Sequence, residues 1–444
     1  MVVKMTEGNT WKHLIQYAIP LMLGNLFQLT YNAVDSIIVG RWAGKNAVAA
    51  VGTSNPVTTI IILGVSGICM GAGVLMGNFF GRDDIKSLKK EISTTVLSGS
   101  LFALAITALG LIFSNQILRL LNVPDEIMRE SVLYLRIIMC GVPFTFLYNA
   151  ISYTLRSVGD SKTATKYLAI SCVLNGCMDF VFIYFFRWGV VGAGLATVIA
   201  QLISVICCLS FVRKNVPILS MGKEDLVIDG PLLKETLRYG SVTALQQSCQ
   251  PIGKLLIQGV INGLGVSAIA AFNAVNRVDD FACIPEQSIS HSMTTFVAQN
   301  DGAGKRRRIR EGFRKGITLE LIYWVFICIV TLLLRTPIMK LFLPTDPEGI
   351  RIGASYLTLM AFFYVCPGLT NGIQGFFRGM KNMKITLFGT ITQITGRVIV
   401  VYLLVPKIGL DGAAWACFIG WTAMILMEYG YYFFYYRRKY MGDC

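Results

Sequence analysis

Charge is the scarcest resource in this 444-residue chain. Only 15% of residues are Asp, Glu, Lys or Arg, where a soluble domain carries about 25%, so the chain is short of solvated surface. Histidine is nearly absent. His13 and His291 are the only two, which excludes a histidine-rich metal centre. The twelve cysteines include no Cys-x-x-Cys pair and read as free thiols packed as small hydrophobes. No HExxH element, no Gly-x4-Gly-Lys-Ser/Thr loop and no nucleophile–base pair occurs, which argues against an enzyme and against ATP-driven pumping within this chain.

Long apolar stretches fill the space between the charge clusters. Tyr167 to Phe186 and Ile317 to Leu334 are examples, and about 20 apolar residues cross a bilayer core as a helix. A β-barrel would instead show alternating segments of about ten residues. The expected fold is therefore all-α and integral to the membrane, with twelve transmembrane helices from about residues 13–40 to about 410–436. The polar Met1 to Lys12 segment and the lack of a small-residue cleavage site predict that the first helix is kept. The net charge of +15 could suggest nucleic acid, but its placement fits membrane topology better. Of 40 Lys and Arg residues, 27 fall on one side of the twelve-span alternation and 10 on the other. Positive residues favour the cytoplasmic face, which predicts cytoplasmic termini in a multi-pass protein of the cytoplasmic (inner) membrane. The expected partners are the lipid bilayer and a small molecule, with no nucleic acid, and the expected functional form is a monomer.

The chain carries an internal duplication. Ala49–Val57 answers Ala270–Val278, Arg156–Lys162 answers Arg378–Lys384, and Gly189–Ala196 answers Gly409–Ala416, at shifts of 220 to 222. Six spans per half is an even number, so both halves insert the same way up. This parallel repeat predicts two pseudo-symmetric six-helix bundles, residues 1–212 and 236–444, joined by a cytoplasmic linker at 213–235. Such repeats build transporters with the substrate path between the halves.

Acids inside membrane spans are functional candidates by default, at a cost of about 2.5–3.5 kcal/mol on insertion scales. Asn25, Gln28, Asn32 and Asp35 share one face of the first helix, and Ser171, Asn175 and Asp179 share one face of the fifth. Two carboxylates with amide and hydroxyl oxygens suit a proton or a small hard cation such as Na⁺. The alternative for Asp35 is simple solvation near a membrane boundary. The repeat places Leu256 opposite Asp35 and Val401 opposite Asp179. Acids confined to one half point to one cation site in the N-terminal lobe, with H⁺ or Na⁺ as the coupling ion and no further cofactor. The seventh helix has its own stripe of Gln247, Gln250, Lys254, Gln258 and Asn262. Gln247, Gln250, Lys254 and Gln258 of that stripe, together with Gln28, Asn32 and Asn276, are a candidate substrate path. Lys254 either touches substrate or neutralises Asp279 or Asp280 in a structural pair.

The segment from Ile19 to Gly40, with its proline, glutamine and Val34–Asp35 pair, resembles the first helix of the multidrug and toxin extrusion (MATE) family. The two-times-six layout extends that resemblance over nearly the whole chain. It implies two six-helix lobes forming a V. It also implies export of small amphipathic or cationic compounds, driven by inward H⁺ or Na⁺ movement through alternating access. It further implies a cation set of Asp35, Asn175, Asp179 and Thr197, the same residues serving as metal ligands if the ion is Na⁺; Thr197 enters by resemblance alone. Some family members carry a carboxylate in helix 7, where this chain has Gln246, Gln247 and Lys254. A lipid-linked saccharide flippase of the same superfamily is the alternative, kept open by Lys254, Arg277 and Arg397.

Overall fold

A computed structural model describes residues 2–441; residue 1 and residues 442–444, the outer ends of the two expected bundles, lie outside it. Among the described residues there are helices and no strands. In chain order they are α1 (Thr10–Ile38), α2 (Lys45–Gly81), α3 (Ile85–Leu120), α4 (Asp125–Ser157), α5 (Ser161–Asp179), α6 (Gly189–Asn215), α7 (Gly230–Ile261), α8 (Val266–Gly302), α9 (Arg306–Phe342), α10 (Pro347–Phe363), α11 (Val365–Gly379), α12 (Met383–Ile408) and α13 (Asp411–Tyr431). π-Helical turns continue α1 over Val39–Ala43, α5 over Phe180–Phe185 and α13 over Tyr432–Met441. Helices α10 and α11 meet at a 41° bend. Pro367 has no N–H for the carbonyl one turn back, so the ladder breaks there. Counted as one broken span, this pair brings the total to twelve, as the sequence predicts.

Seven of these helices are long and apolar enough to cross a membrane by composition, and the α10–α11 pair is an eighth. The remaining four, α1, α7, α8 and α13, carry polar or acidic residues within their length. A bilayer-depth backbone must satisfy its own hydrogen bonds, and helices do so internally.

The duplication is written into the backbone. Helices α2 and α8 start 221 residues apart, at 45 and 266, as do α3 and α9, at 85 and 306. Helices α4 and α10, α5 and α12, and α6 and α13 start 222 apart. Left-handed backbone positions repeat too: Gly44 (φ 91°) with Gly265 (φ 96°), Asp83 (62°) with Gly304 (69°), and Gly159 (84°) with Lys381 (59°). Such conformations favour glycine, so their recurrence reports the same turns made twice.

By packing, the chain divides into two compact units. The first holds residues 2–4 and 20–244, the second residues 5–19 and 245–441. In chain order the bundles were expected at 1–212 and 236–444. The start of α1 goes with the second unit because its polar groups bond there. The Met5 amide donates to Gln299 Oε1 (2.8 Å), Thr10 Oγ1 to Glu311 (2.8 Å) and Ser292 Oγ to the Leu14 carbonyl (2.9 Å). In the first unit, the segment after α6 is anchored on α3. The Val227 amide donates to Ser93 Oγ (2.9 Å), the Asp229 amide to Thr94 Oγ1 (3.0 Å), and Thr236 Oγ1 to the buried Glu91 (2.6 Å). The Gly222 amide and the Lys89 ammonium hold the Asp225 carboxyl below the usual carboxylate range. The expected linker is thus docked along much of its length.

Glycines let backbones meet within each unit, where hydrophobic force between helices is weak and close contact replaces it. A Cβ on Gly71 of α2 would lie 2.6 Å from the Gly240 amide nitrogen of α7. A Cβ on Gly375 of α11 would lie 2.6 Å from the Ser290 carbonyl of α8. Gly259, inside α7, has open space at its Cβ position. Thermal unfolding in detergent should therefore separate them. Gly71→Val and Gly375→Val should each lose about 1–3 kcal/mol or more through overpacking, while Gly259→Ala should be neutral or gain about 0.5–1 kcal/mol.

Candidate functional site

Within the first unit, α1 and α5 bring Asp35, Asn175 and Asp179 to one place. Asn175 and Asp179 sit one turn apart on α5, and the Asn175 amide donates to Asp179 Oδ2 at 2.9 Å. Asp179 is fully buried and Asn175 nearly so. The carboxyl groups of Asp35 and Asp179 lie within hydrogen-bonding reach of each other across the two helices. Asp179 Oδ1 receives no donor. A buried polar atom without a donor is uncommon, and here it marks the side on which a proton or cation would bind.

Tyr31 completes the cluster and was not singled out from the sequence. Its hydroxyl donates to Asn175 Oδ1 and reaches Asp179 Oδ2 at 3.4 Å. The signal was present: Tyr31 is four residues before Asp35, on the same helical face. An aromatic within an apolar helix reads as packing unless its hydroxyl is followed. Buried Tyr134 of α4 is near enough to feel the charge of both carboxyls. Thr197 is half-buried on α6, and its hydroxyl donates to the Ala193 carbonyl one turn back at 3.1 Å.

Local structure places the acid at a discontinuity. Helix α5 changes from α to π winding immediately after Asp179, and π turns recur at functional sites. The turn carries Phe180 and Tyr184, whose rings stack at 5.0 Å and meet the edge of Trp42 from the turn after α1. A cavity of about 660 Å³ lies beside them between α1 and α5, lined by Phe27, Tyr31, Val34, Cys172, Gly176 and Phe180 among others.

The expected substrate-path residues are divided between the two units and are described within each. Gln28 and Asn32 are exposed on α1 in the first unit. In the second unit, exposed Lys254 pairs with half-buried Asp280 at 3.3 Å, which is the structural pair weighed as its alternative. Gln258 donates to Asn262 one turn on, at 2.9 Å. Gln250 is exposed, and Gln247 and Asn276 are half-buried. Arg277 is exposed, while Arg397 is half-buried and feels the charge of Asp279. The donor set around Asp179 is all oxygen, as a proton or a hard cation requires. Among the described residues no group of three or more His, Cys, Asp or Glu gathers as a transition-metal site would.

Comparison with known proteins matches this architecture. The chain is 29% identical to the probable multidrug resistance protein YoeA of Bacillus subtilis, over 98% of this chain and 96% of that one. It is 26% identical to the probable multidrug resistance protein NorM of Thermotoga maritima, over 93% and 89%, and 22% identical to a FAD transporter of Shewanella oneidensis, over 84% of each. Among solved structures, an outward-facing multidrug resistance MATE family transporter of the MOP superfamily superposes with a TM-score of 0.91 at 21% identity, covering 97% of this chain and 96% of that one. At that identity the likeness speaks for the fold. The MatE family model matches residues 20–181 and again 243–403, one copy in each half of the duplication. The chain belongs to the MATE family of multidrug and toxin efflux transporters.

Proposed function

We propose that this drug and toxin transporter is a secondary antiporter, exporting small amphipathic or cationic organic compounds in exchange for H⁺ or Na⁺ entering the cell. The observation that carries this reading is the Asp35–Asp179 carboxyl pair with Asn175 and Tyr31 around it. Two carboxyls in contact inside a membrane need a shared proton or a cation between them. Binding therefore neutralises the cluster, and release exposes an uncompensated charge that favours a different arrangement of the helices. Alternating access follows from that difference in affinity between two states. The Tyr31 hydroxyl and the Asn175 amide hold the Asp179 carboxylate in the ion-free state, and Thr197 is the remaining oxygen that a Na⁺ ion would recruit. The pairing of Lys254 with Asp280 weakens the flippase alternative, which needs uncompensated positive charge for a pyrophosphate. The protein acts as a monomer, its two lobes being the six-helix halves on either side of residues 213–235.

Export of a fluorescent organic cation from proteoliposomes under an imposed pH or Na⁺ gradient tests the coupling. Asp35→Asn and Asp179→Asn should each abolish gradient-driven export while the protein stays folded. Full transport by both variants would overturn the assignment. Tyr31→Phe should leave export measurable but bind the driving ion about tenfold more tightly, so that export saturates at lower ion concentration and ion release slows, because the lost hydrogen bond stabilises the ion-free carboxylate and is worth about 1.5–3 kcal/mol.

The localisation that accompanies this function is the cytoplasmic membrane with both termini inside. Arg307, exposed in the first turn of α9, lies in the densest cluster of positive residues. With the exposed Cys140 and Cys177 replaced, Arg307→Cys should resist a membrane-impermeant maleimide in intact cells and react in opened ones. Labelling of intact cells would invert the topology.

A further inference from the structure

The second unit buries carboxylates of its own, at positions outside the cluster described above. Glu286 of α8 and Glu320 of α9 are each 1% exposed. All four of their carboxyl oxygens lack a hydrogen-bond partner. Both side chains border the same place on α11. A Cβ on Gly368 would lie 3.5 Å from Glu320 Cβ and 3.8 Å from Glu286 Oε1, and one on Gly372, a turn later, 3.7 Å from Glu320 Cγ. The two glycines therefore leave a slot along α11, just past the bend, with Glu320 lying along it and Glu286 aimed at its upper end.

Among the described residues, the groups around this slot supply no countercharge. The charge acting on Glu320 is Glu286, and the charge acting on Glu286 is Asp279, two turns back on α8. The other titratable groups that feel the pair are Cys283 of α8, Tyr323 of α9, Cys366 of α11 and Tyr429 of α13. Arg378, farther along α11, acts on Glu428 instead. Tyr323 and Tyr364 are committed elsewhere: the Tyr323 hydroxyl donates to the Ala282 carbonyl (2.8 Å) and the Tyr364 hydroxyl to Asp279 Oδ1 (2.5 Å). Unpaired buried carboxylates of like sign cannot both be ionised at tolerable cost.

We propose that Glu286 and Glu320 form a second, proton-binding carboxyl pair, held in the C-terminal half and exchanging its proton during transport. The ligand is a proton rather than a metal cation, because a hard cation gathers about six oxygens and this slot offers four, all from carboxyls. The step is proton transfer alone: a carboxyl O–H bond forms when the pair loads from water and breaks when it unloads. The duplication supports a dedicated role. Moving back by 221 residues places Val65 opposite Glu286 and Gly99 opposite Glu320, so the shared scaffold does not need these acids.

The test is pH-jump infrared difference spectroscopy on the purified full chain in lipid, read in the carbonyl band of protonated carboxyls, together with the proton-to-ethidium ratio during export. Glu286→Gln and Glu320→Gln should each remove part of the titrating band and lower the ratio. Asp35→Asn with Asp179→Asn should stop export yet leave that part of the band in place, so failure of the N-terminal site and failure of this proposal are distinguishable. If the glutamine variants do not fold, Gly368→Ala, whose Cβ fits at ordinary contact distance, should shift the same part of the band. A band unchanged in a folded Glu286→Gln, Glu320→Gln double variant, or a pair that stays protonated across the pH jump, overturns the proposal.

Discussion

Everything in this fold follows from the cost of leaving a polar group unsatisfied where water is absent. The backbone answers with helices almost without interruption. Side chains answer by back-bonding, as Thr30, Ser54, Thr154 and Thr197 do to carbonyls one turn earlier. Helix pairs close through glycine, at Gly71 against Gly240 and at Gly375 against Ser290. Against that background of satisfied groups, carboxyls without donors stand out. Asp179 keeps one orphaned oxygen in the first unit, and Glu286 and Glu320 keep four between them in the second.

Much of the architecture was legible in the sequence because membrane helices announce themselves by length and by the position of charge. The duplication was also legible, from three short matches, and the helix starts at offsets of 220 to 222 carry it through the whole chain. Other features required three dimensions. The bend between α10 and α11 depends on how one proline is accommodated. The exchange of residues 5–19 into the second unit depends on Gln299, Thr295 and Glu311 being near, nearly 300 residues away in sequence. The docked segment after α6 looked like a polar linker because its partners, Ser93, Thr94 and Glu91, are on α3.

The candidate sites divide the same way. Asn175 and Asp179 share a helix face, so periodicity found them; Asp35 closes a polar stripe, so periodicity found it too. Tyr31 shares that face but counts among the hydrophobic residues, so a stripe of polar residues passes over it. Glu320 is the one acid in the apolar stretch from Ile317 to Leu334, with no stripe to point to it. Glu286 lay in a polar run on α8 that also holds Asp279 and Asp280, and only packing separates the buried Glu286 from Asp280, which is salt-bridged at the surface to Lys254. Stripe reasoning detects an acid that has polar neighbours along its own helix and is blind to one whose only polar partner comes from another helix.

The asymmetry between the halves is the deeper regularity. A duplicated scaffold begins with every position matched, and divergence is then visible position by position. The N-terminal acids face Leu256 and Val401 in the repeat; the C-terminal acids face Val65 and Gly99. Each half has therefore kept the packing glycines and turn conformations that build the bundle, while its buried carboxyls stand at places the other half fills with apolar residues or glycine. Structural necessity would act on both copies alike. Charge that appears in one copy only, without a countercharge and at a cost to stability, is best explained by work that the two halves do not share.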